Sequence, residues 1–143
     1  MKGTYTFPCN IAQTLNLIGD RWTLLVAHEI LLGHTTFNEI KKSLEGISAN
    51  LLSDRLKTLE VNGLITSSLY SEHPPRYQYT LTESGEALED IFNSFIIWGQ
   101  NHLPTRYKKI IHQECQDEVE ITYYCPTCQR NVQELEIVKV TDE

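Results

Sequence analysis

At Asn62-Gly63 the hydrophobic period of this chain changes from about 3.6 residues to about two. That switch restricts the fold more than any other feature. Upstream of it, GISANLLSDRLKTLEVNGLI (residues 46–65) reads as one helix, with Ser48 as N-cap and Asn62-Gly63 as a stop compatible with left-handed backbone. Downstream, LITSSLYS and RYQYTLT alternate as strands, and EHPP between them is a turn that no helix crosses. Three helices are expected ahead of residue 46. CNIAQTLNLIG carries Ile11, Leu15 and Ile18 on one stripe and ends at Gly19. RWTLLVAHEILLG is almost continuously apolar and should be central and mostly buried. TTFNEIKKSLEG opens with the capping-box pair Thr36 and Glu39 and stops at Gly46.

After the strands, Thr82 is placed to cap one long helix, ESGEALEDIFNSFIIWGQNHL, with Leu88, Ile91, Phe95 and Trp98 on a single stripe. A short-turn helix pair, a two-stranded hairpin and a further helix are the layout of a winged helix-turn-helix. The expected fold class is mainly α with a small β wing, with residues 1–104 forming the DNA-binding and dimerisation domain. Beyond Pro104 the character changes. Residues 105–143 should hold a short basic helix end at Tyr107-Lys108-Lys109, then two or three strands flanking a CPTC turn, as an acidic β-rich extension.

A formal net charge of −7 argues at first against a nucleic-acid partner. Its distribution removes most of that objection. Residues 1–111 hold ten Lys/Arg against eleven Asp/Glu, whereas residues 112–143 hold two against eight. The main domain is therefore near neutrality and has room for a basic face.

That face is legible on the helix that begins after Ser48. Leu52, Leu56 and Leu59 fall together and must point inward, which leaves Asn50, Ser53, Asp54 and Lys57 on the opposite side. These side chains can reach base edges or phosphates in a major groove, with Asn suited to adenine. Arg55, on the flank, is placed either to contact a phosphate or to pair with a carboxylate such as Glu39 or Glu29. Lys41 and Lys42 on the preceding helix add charge for the DNA backbone, and Arg76 beside Pro74-Pro75 gives the hairpin tip a probe for backbone or minor groove. Any surface helix shows such residues to water; the helix pair followed by a hairpin is what favours DNA.

Several motifs stand in one order: Cys9 before the first helix, GDRWTLL at 19–25, F-x-E-I at 37–40, GIS-x-x-LLS-x-RL-x-x-LE-x-x-GLI at 46–65, PPR-x-x-Y-x-LT at 74–82, and Trp98-Gly99. With these the chain resembles the HxlR-type winged helix-turn-helix regulators over nearly its whole length. The resemblance implies a prokaryotic dimeric transcription factor that binds double-stranded DNA as a homodimer, with the first helix and the long helix after the wing at the dimer interface. Its operator would carry two half-sites related by a two-fold axis. One residue departs from the pattern: Asp20 stands where Gly is common before Lys/Arg-Trp, a change expected to matter little.

Four other signals bear on function. His28-Glu29 with His34 lacks the four-residue histidine spacing of a metalloprotease helix. Trp22, Phe92, Phe95 and Trp98 at helical spacing suit a core or dimer interface better than a ligand pocket. Cys125-Pro-Thr-Cys128 lacks the helix start and βαβ setting of a thioredoxin-like pair. His112-x2-Cys115-x9-Cys125-x2-Cys128 has the donor set of a structural zinc site, the alternative being reduced thiols in a small hairpin.

Cys9 lies at the start of the first helix, where unpaired backbone N–H groups and the helix dipole favour a thiolate open to peroxide, quinones or aldehydes. In the family that the chain resembles, a cysteine at this place serves several members as a redox sensor; the alternative is a small residue that simply precedes a helix. The first ten residues contain no apolar signal segment, and the runs LLVA and FIIW are too short to cross a bilayer, so a cytoplasmic protein with reduced cysteines is expected. The preferred reading is a dimeric repressor without enzymatic activity. The competing readings are a redox or metal-dependent enzyme using the tail cysteines, and a protein-interaction adaptor that does not bind DNA.

Overall fold

The computed structural model describes residues 3–140. Packing separates the chain into two compact units, Met1–Asn93 and Ser94–Glu143. The division falls inside a helix and not after Pro104, where the composition changes.

The first unit opens with α1 (Asn10–Ile18), α2 (Thr23–Leu31), α3 (Phe37–Ser43) and α4 (Ala49–Val61), followed by the antiparallel hairpin β1 (Ile65–Glu72) and β2 (Pro75–Leu81). Val26, Ala27 and Ile30 of α2 are buried with Ile40 of α3 and Leu52, Leu56 and Leu59 of α4. Burying a Leu or Ile side chain contributes about 1.5–3 kcal/mol, so the three leucines seat α4 far more firmly than helix propensity does. The caps read from sequence are present. Thr36 accepts a bond from the Glu39 N–H at 3.3 Å, and Ser48 accepts from the Leu51 N–H at 3.1 Å. At the far end of α4, Gly63 takes φ +75°, which lets the Leu64 N–H reach the Leu59 carbonyl at 2.9 Å.

Two expectations for this unit are corrected. The hairpin turn is tighter than EHPP: Glu72 pairs with Pro75, leaving only His73 and Pro74 in the turn, and the register shifts between Leu69 and Ser71. Pro75 starts a strand, where a missing N–H is tolerated.

The long helix after Thr82 is two helices, α5 (Glu83–Glu86) and α6 (Glu89–His102). Thr82 caps α5 through the Gly85 N–H at 3.2 Å. Gly85 is pressed so closely onto Leu64 that a Cβ there would lie 2.0 Å from the Leu64 carbonyl oxygen. The first turn is thus held by the wing, and the Leu88 N–H then bonds three residues back to Gly85 before α6 starts.

The apolar stripe after the wing is divided between core and surface. Leu88 is buried and Ile91 packs on the core, whereas Phe95 and Trp98 are 66% and 61% exposed. Phe92 and Ile97 take the inward positions. On α1 the stripe is likewise outward: Ile18 is buried, but Ile11 is 72% exposed and Leu15 is exposed.

In the second unit, residues 103–110 are not helical, contrary to the basic helix end expected there. Pro104 removes a backbone donor, and Tyr107 has φ +41°, outside the helical region. Buried Gln100 organises the segment instead: its backbone carbonyl accepts from Arg106 Nε at 3.0 Å and its side-chain oxygen from the Ile110 N–H at 3.1 Å. Arg106 also pairs with Glu118. Two short antiparallel strands, β3 (Tyr123–Cys125) and β4 (Arg130–Val132), flank the CPTC turn.

Candidate nucleic-acid interface

Helices α3 and α4 form the helix-turn-helix. Gly46, at φ +94°, makes the turn, and buried Ile47 pins it with a 3.2 Å bond from its N–H to the Leu44 carbonyl. With the leucine face of α4 inward, Asn50, Ser53, Asp54 and Lys57 are all exposed on the outer face. Lys41 and Lys42 are exposed on α3, and Arg76 is exposed near the hairpin tip. Among the described residues, none of Lys41, Lys42, Lys57 or Arg76 is in an ion pair. Each is therefore available to an external anion.

Hydrogen bonds lock the wing to the helix-turn-helix. The Tyr79 N–H donates to the Thr35 carbonyl at 2.8 Å, Gln78 Nε2 donates to Thr35 Oγ1 at 3.1 Å, and Thr36 bridges Gln78 through the backbone. Behind α4, Ser67 donates to Glu60 at 2.7 Å and Thr82 donates to the Gly63 carbonyl at 2.6 Å. Burial, then Glu60, then Tyr77 raise the Tyr79 phenol above its ordinary range. Between wing and α3 lies an open cleft of about 300 Å³, lined by Asn38, Tyr70, Pro75, Arg76 and Tyr77 among others. Sequence reading missed Asn38 and the two tyrosines. Only the packing of the hairpin against α3 brings them beside Arg76.

Arg55 takes the second of its two expected places, paired with a carboxylate, but with a partner other than those named. Its Nε lies 3.1 Å from Asp20 Oδ2, and Nη1 lies 3.8 Å from Asp54. The Nε group is buried and its N–H is not aimed for a hydrogen bond, so the contact with Asp20 is charge pairing. The partner is neither Glu39 nor Glu29. Glu29 contacts His34 at 2.5 Å, which gives that histidine a structural place at the end of α2. Asp20, expected to matter little, bonds the N–H and hydroxyl of Thr23 at 3.0 and 2.7 Å and so caps α2 while holding Arg55. One carboxylate ties the α1–α2 corner to the recognition helix.

The cysteines fall in two places. Cys9 is the N-cap residue of α1, half-buried, and its side chain makes no capping bond. In the C-terminal unit, Cys125 accepts the Cys128 N–H at 3.4 Å. That bond, with the Cys128 thiol and the Thr127 N–H, holds the Cys125 thiol below its ordinary range. His112 Nδ1 lies 3.3 Å from Cys115 Sγ. These four side chains stand as two pairs, and among the described residues no group of three or more His, Cys, Asp or Glu is gathered for a metal.

Residues 17–107 match the HxlR-like helix-turn-helix family. The chain belongs to that family. An HTH-type transcriptional regulator of Mycobacterium tuberculosis is 33% identical over 125 residues, covering 83% of this chain and 77% of that one. YtcD, an HTH-type transcriptional regulator of Bacillus subtilis, is 31% identical over 98 residues, 68% of this chain and 78% of its own. Among solved structures, the reduced form of the B. subtilis transcriptional regulator YodB matches with a TM-score of 0.57 and 32% identity, over 68% of this chain and 97% of that one. The redox regulator HypR in its oxidized form matches with a TM-score of 0.61 and 30% identity, over 68% and 100%. This HxlR-family chain is a DNA-binding transcriptional regulator of the winged helix-turn-helix type. Among its described residues, no helix is long and apolar enough to cross a membrane.

Proposed function

We propose that this HxlR-family regulator is a cytoplasmic homodimeric repressor that reads two half-sites, with α4 in the major groove and the wing on the flanking backbone. The observation that carries this is the outer face of α4, where Asn50, Ser53, Asp54 and Lys57 are exposed with unpaired cations on α3 and the wing. Asp54 refines the reading. A carboxylate repels phosphate and accepts from cytosine N4, so its place favours base reading at the centre of the helix face. Lys41, Lys42 and Arg76 then supply the contacts that fix register. Arg55 acts through Asp20 by setting the angle of α4. Exposed Ile11 and Leu15 on α1, and exposed Phe95 and Trp98 on α6, are the apolar surfaces offered to a second copy.

Cys9 is the proposed sensor of oxidants or electrophiles. It starts α1, a helix of the dimer surface, and its thiol makes no capping bond. The likeness to YodB and to the redox regulator HypR supports the same reading.

Light scattering of the purified protein should give a dimer at micromolar concentration, and footprinting upstream of its own or a neighbouring gene should protect two symmetric half-sites. Diamide or a quinone should release wild type from that DNA and leave Cys9→Ser bound. A monomer both free and on DNA would refute the dimer. An equal response of wild type and Cys9→Ser would make Cys9 structural.

A further inference from the structure

Two turns in the C-terminal unit are built alike. In the first, the Gln116 N–H donates to the His112 carbonyl at 2.8 Å, and Gln116 takes φ +65°. In the second, the Gln129 N–H donates to the Cys125 carbonyl at 2.8 Å, and Gln129 takes φ +54°. Left-handed backbone at a residue with a full side chain is uncommon. Here it occurs twice, each time at the fifth position of a five-residue turn and each time directly after a cysteine. Each turn is also closed by antiparallel pairing, the Ile111–Glu118 bridge around the first and β3–β4 around the second. Positions one and four of the turns carry His112 and Cys115, then Cys125 and Cys128.

Within each turn the two donors already converge. With Zn–N about 2.0 Å and Zn–S about 2.3 Å, the N···S edge of a tetrahedral site is about 3.5 Å; His112 Nδ1 and Cys115 Sγ are 3.3 Å apart. In the second turn the Cys128 N–H points at Cys125 Sγ, as a supporting hydrogen bond to a metal-bound sulfur does. The strands carrying that turn are three residues each, and Tyr123 and Tyr124 are exposed. A hairpin so small and so little buried needs a staple.

We propose that His112, Cys115, Cys125 and Cys128 are the four ligands of one structural zinc site, each turn supplying a pair. The pairs are separate halves in this structure, joined through residues 120–122, which carry no secondary structure, and binding would bring the two halves together around the ion. Binding forms three Zn–S bonds and one Zn–N bond, and the three thiol protons pass to solvent.

The test uses the full-length protein, reduced and purified without chelator. Native mass spectrometry should find one zinc per chain, and cobalt(II) in its place should give tetrahedral visible bands with sulfur-to-metal charge transfer. Cys115→Ser, Cys125→Ser and Cys128→Ser should each weaken zinc binding at least about 100-fold, beyond what loss of a supporting partner costs. Cys9→Ser should keep full occupancy. His112→Cys should retain the tetrahedral spectrum with added charge-transfer intensity, a gain of signal that a misfolded variant does not produce. No zinc bound from an equimolar solution, a six-coordinate cobalt spectrum, or a Cys125–Cys128 disulfide that persists under reductant in place of metal would each overturn the proposal.

Discussion

Asn50→Ala is expected to lose about 1–3 kcal/mol of operator binding per half-site, roughly 5- to 150-fold, and to relax base preference at one position in each. The expectation rests on placement. Asn50 is exposed in the first turn of α4, behind the Ser48 cap that fixes where that turn begins. An amide there can bond adenine through both of its groups. Lys57→Ala should weaken binding as well. Arg76→Ala should weaken it evenly across sequences and lower the slope of log affinity against log salt by about one per protomer. Electrophoretic mobility shift at several salt concentrations, on the footprinted operator and on single-base variants, separates the two classes. If all three variants fold and bind with unchanged affinity and salt slope, α4 does not enter the groove.

Gly85→Ala should be the most damaging small substitution in the DNA-binding unit. The added Cβ would lie 2.0 Å from the Leu64 carbonyl oxygen and 3.1 Å from Leu81 Cδ2. That oxygen also accepts the Thr82 N–H at 3.0 Å, so moving it away breaks a bond in the same joint. Against this stands the helix-propensity gain of Gly→Ala, about 1 kcal/mol at most. Overpacking with a lost hydrogen bond outweighs it, at a net cost on the order of 3 kcal/mol and a fall in Tm on the order of 10 °C. Gly99→Ala is the comparison, because the nearest atom to its Cβ is the end of the Leu103 side chain at 3.0 Å, which can turn aside. Its Tm should stay within a few degrees of wild type, by the same scaling. Equal melting temperatures for the two variants would show that the joint between wing and α5 is soft.

Much of the DNA-binding unit is written locally. The capping pairs at Thr36 and Ser48, the leucines at 52, 56 and 59, the stop at Gly63 and the change to strand period each act over a few residues, and together they define the helix-turn-helix and its wing. The outward face of α4 follows from them, because a helix with one buried stripe has no choice about its opposite side. The order of motifs was likewise enough to place the chain among the HxlR-like regulators, as the family match bears out.

Contacts between segments distant in sequence decided the rest. Nothing near Asp20 announces Arg55, and nothing near Gly85 announces Leu64; each pair meets only because α4 and the wing fold back onto earlier or later backbone. The long helix after Thr82 breaks for the same reason: its periodicity is intact, but the joint against Leu64 fixes its first turn. The resemblance already set the apolar stripes of the first helix and of the helix after the wing at an interface, but only the packing of Leu88, Phe92 and Ile18 shows which residues, Ile11, Phe95 and Trp98, are left outside. The spacing of His112, Cys115, Cys125 and Cys128 is a sequence fact, but the common shape of their two turns is set by φ at Gln116 and Gln129. Sequence pattern records which side of an element is apolar; which neighbour covers that side, and whether any does, is a property of the packed chain.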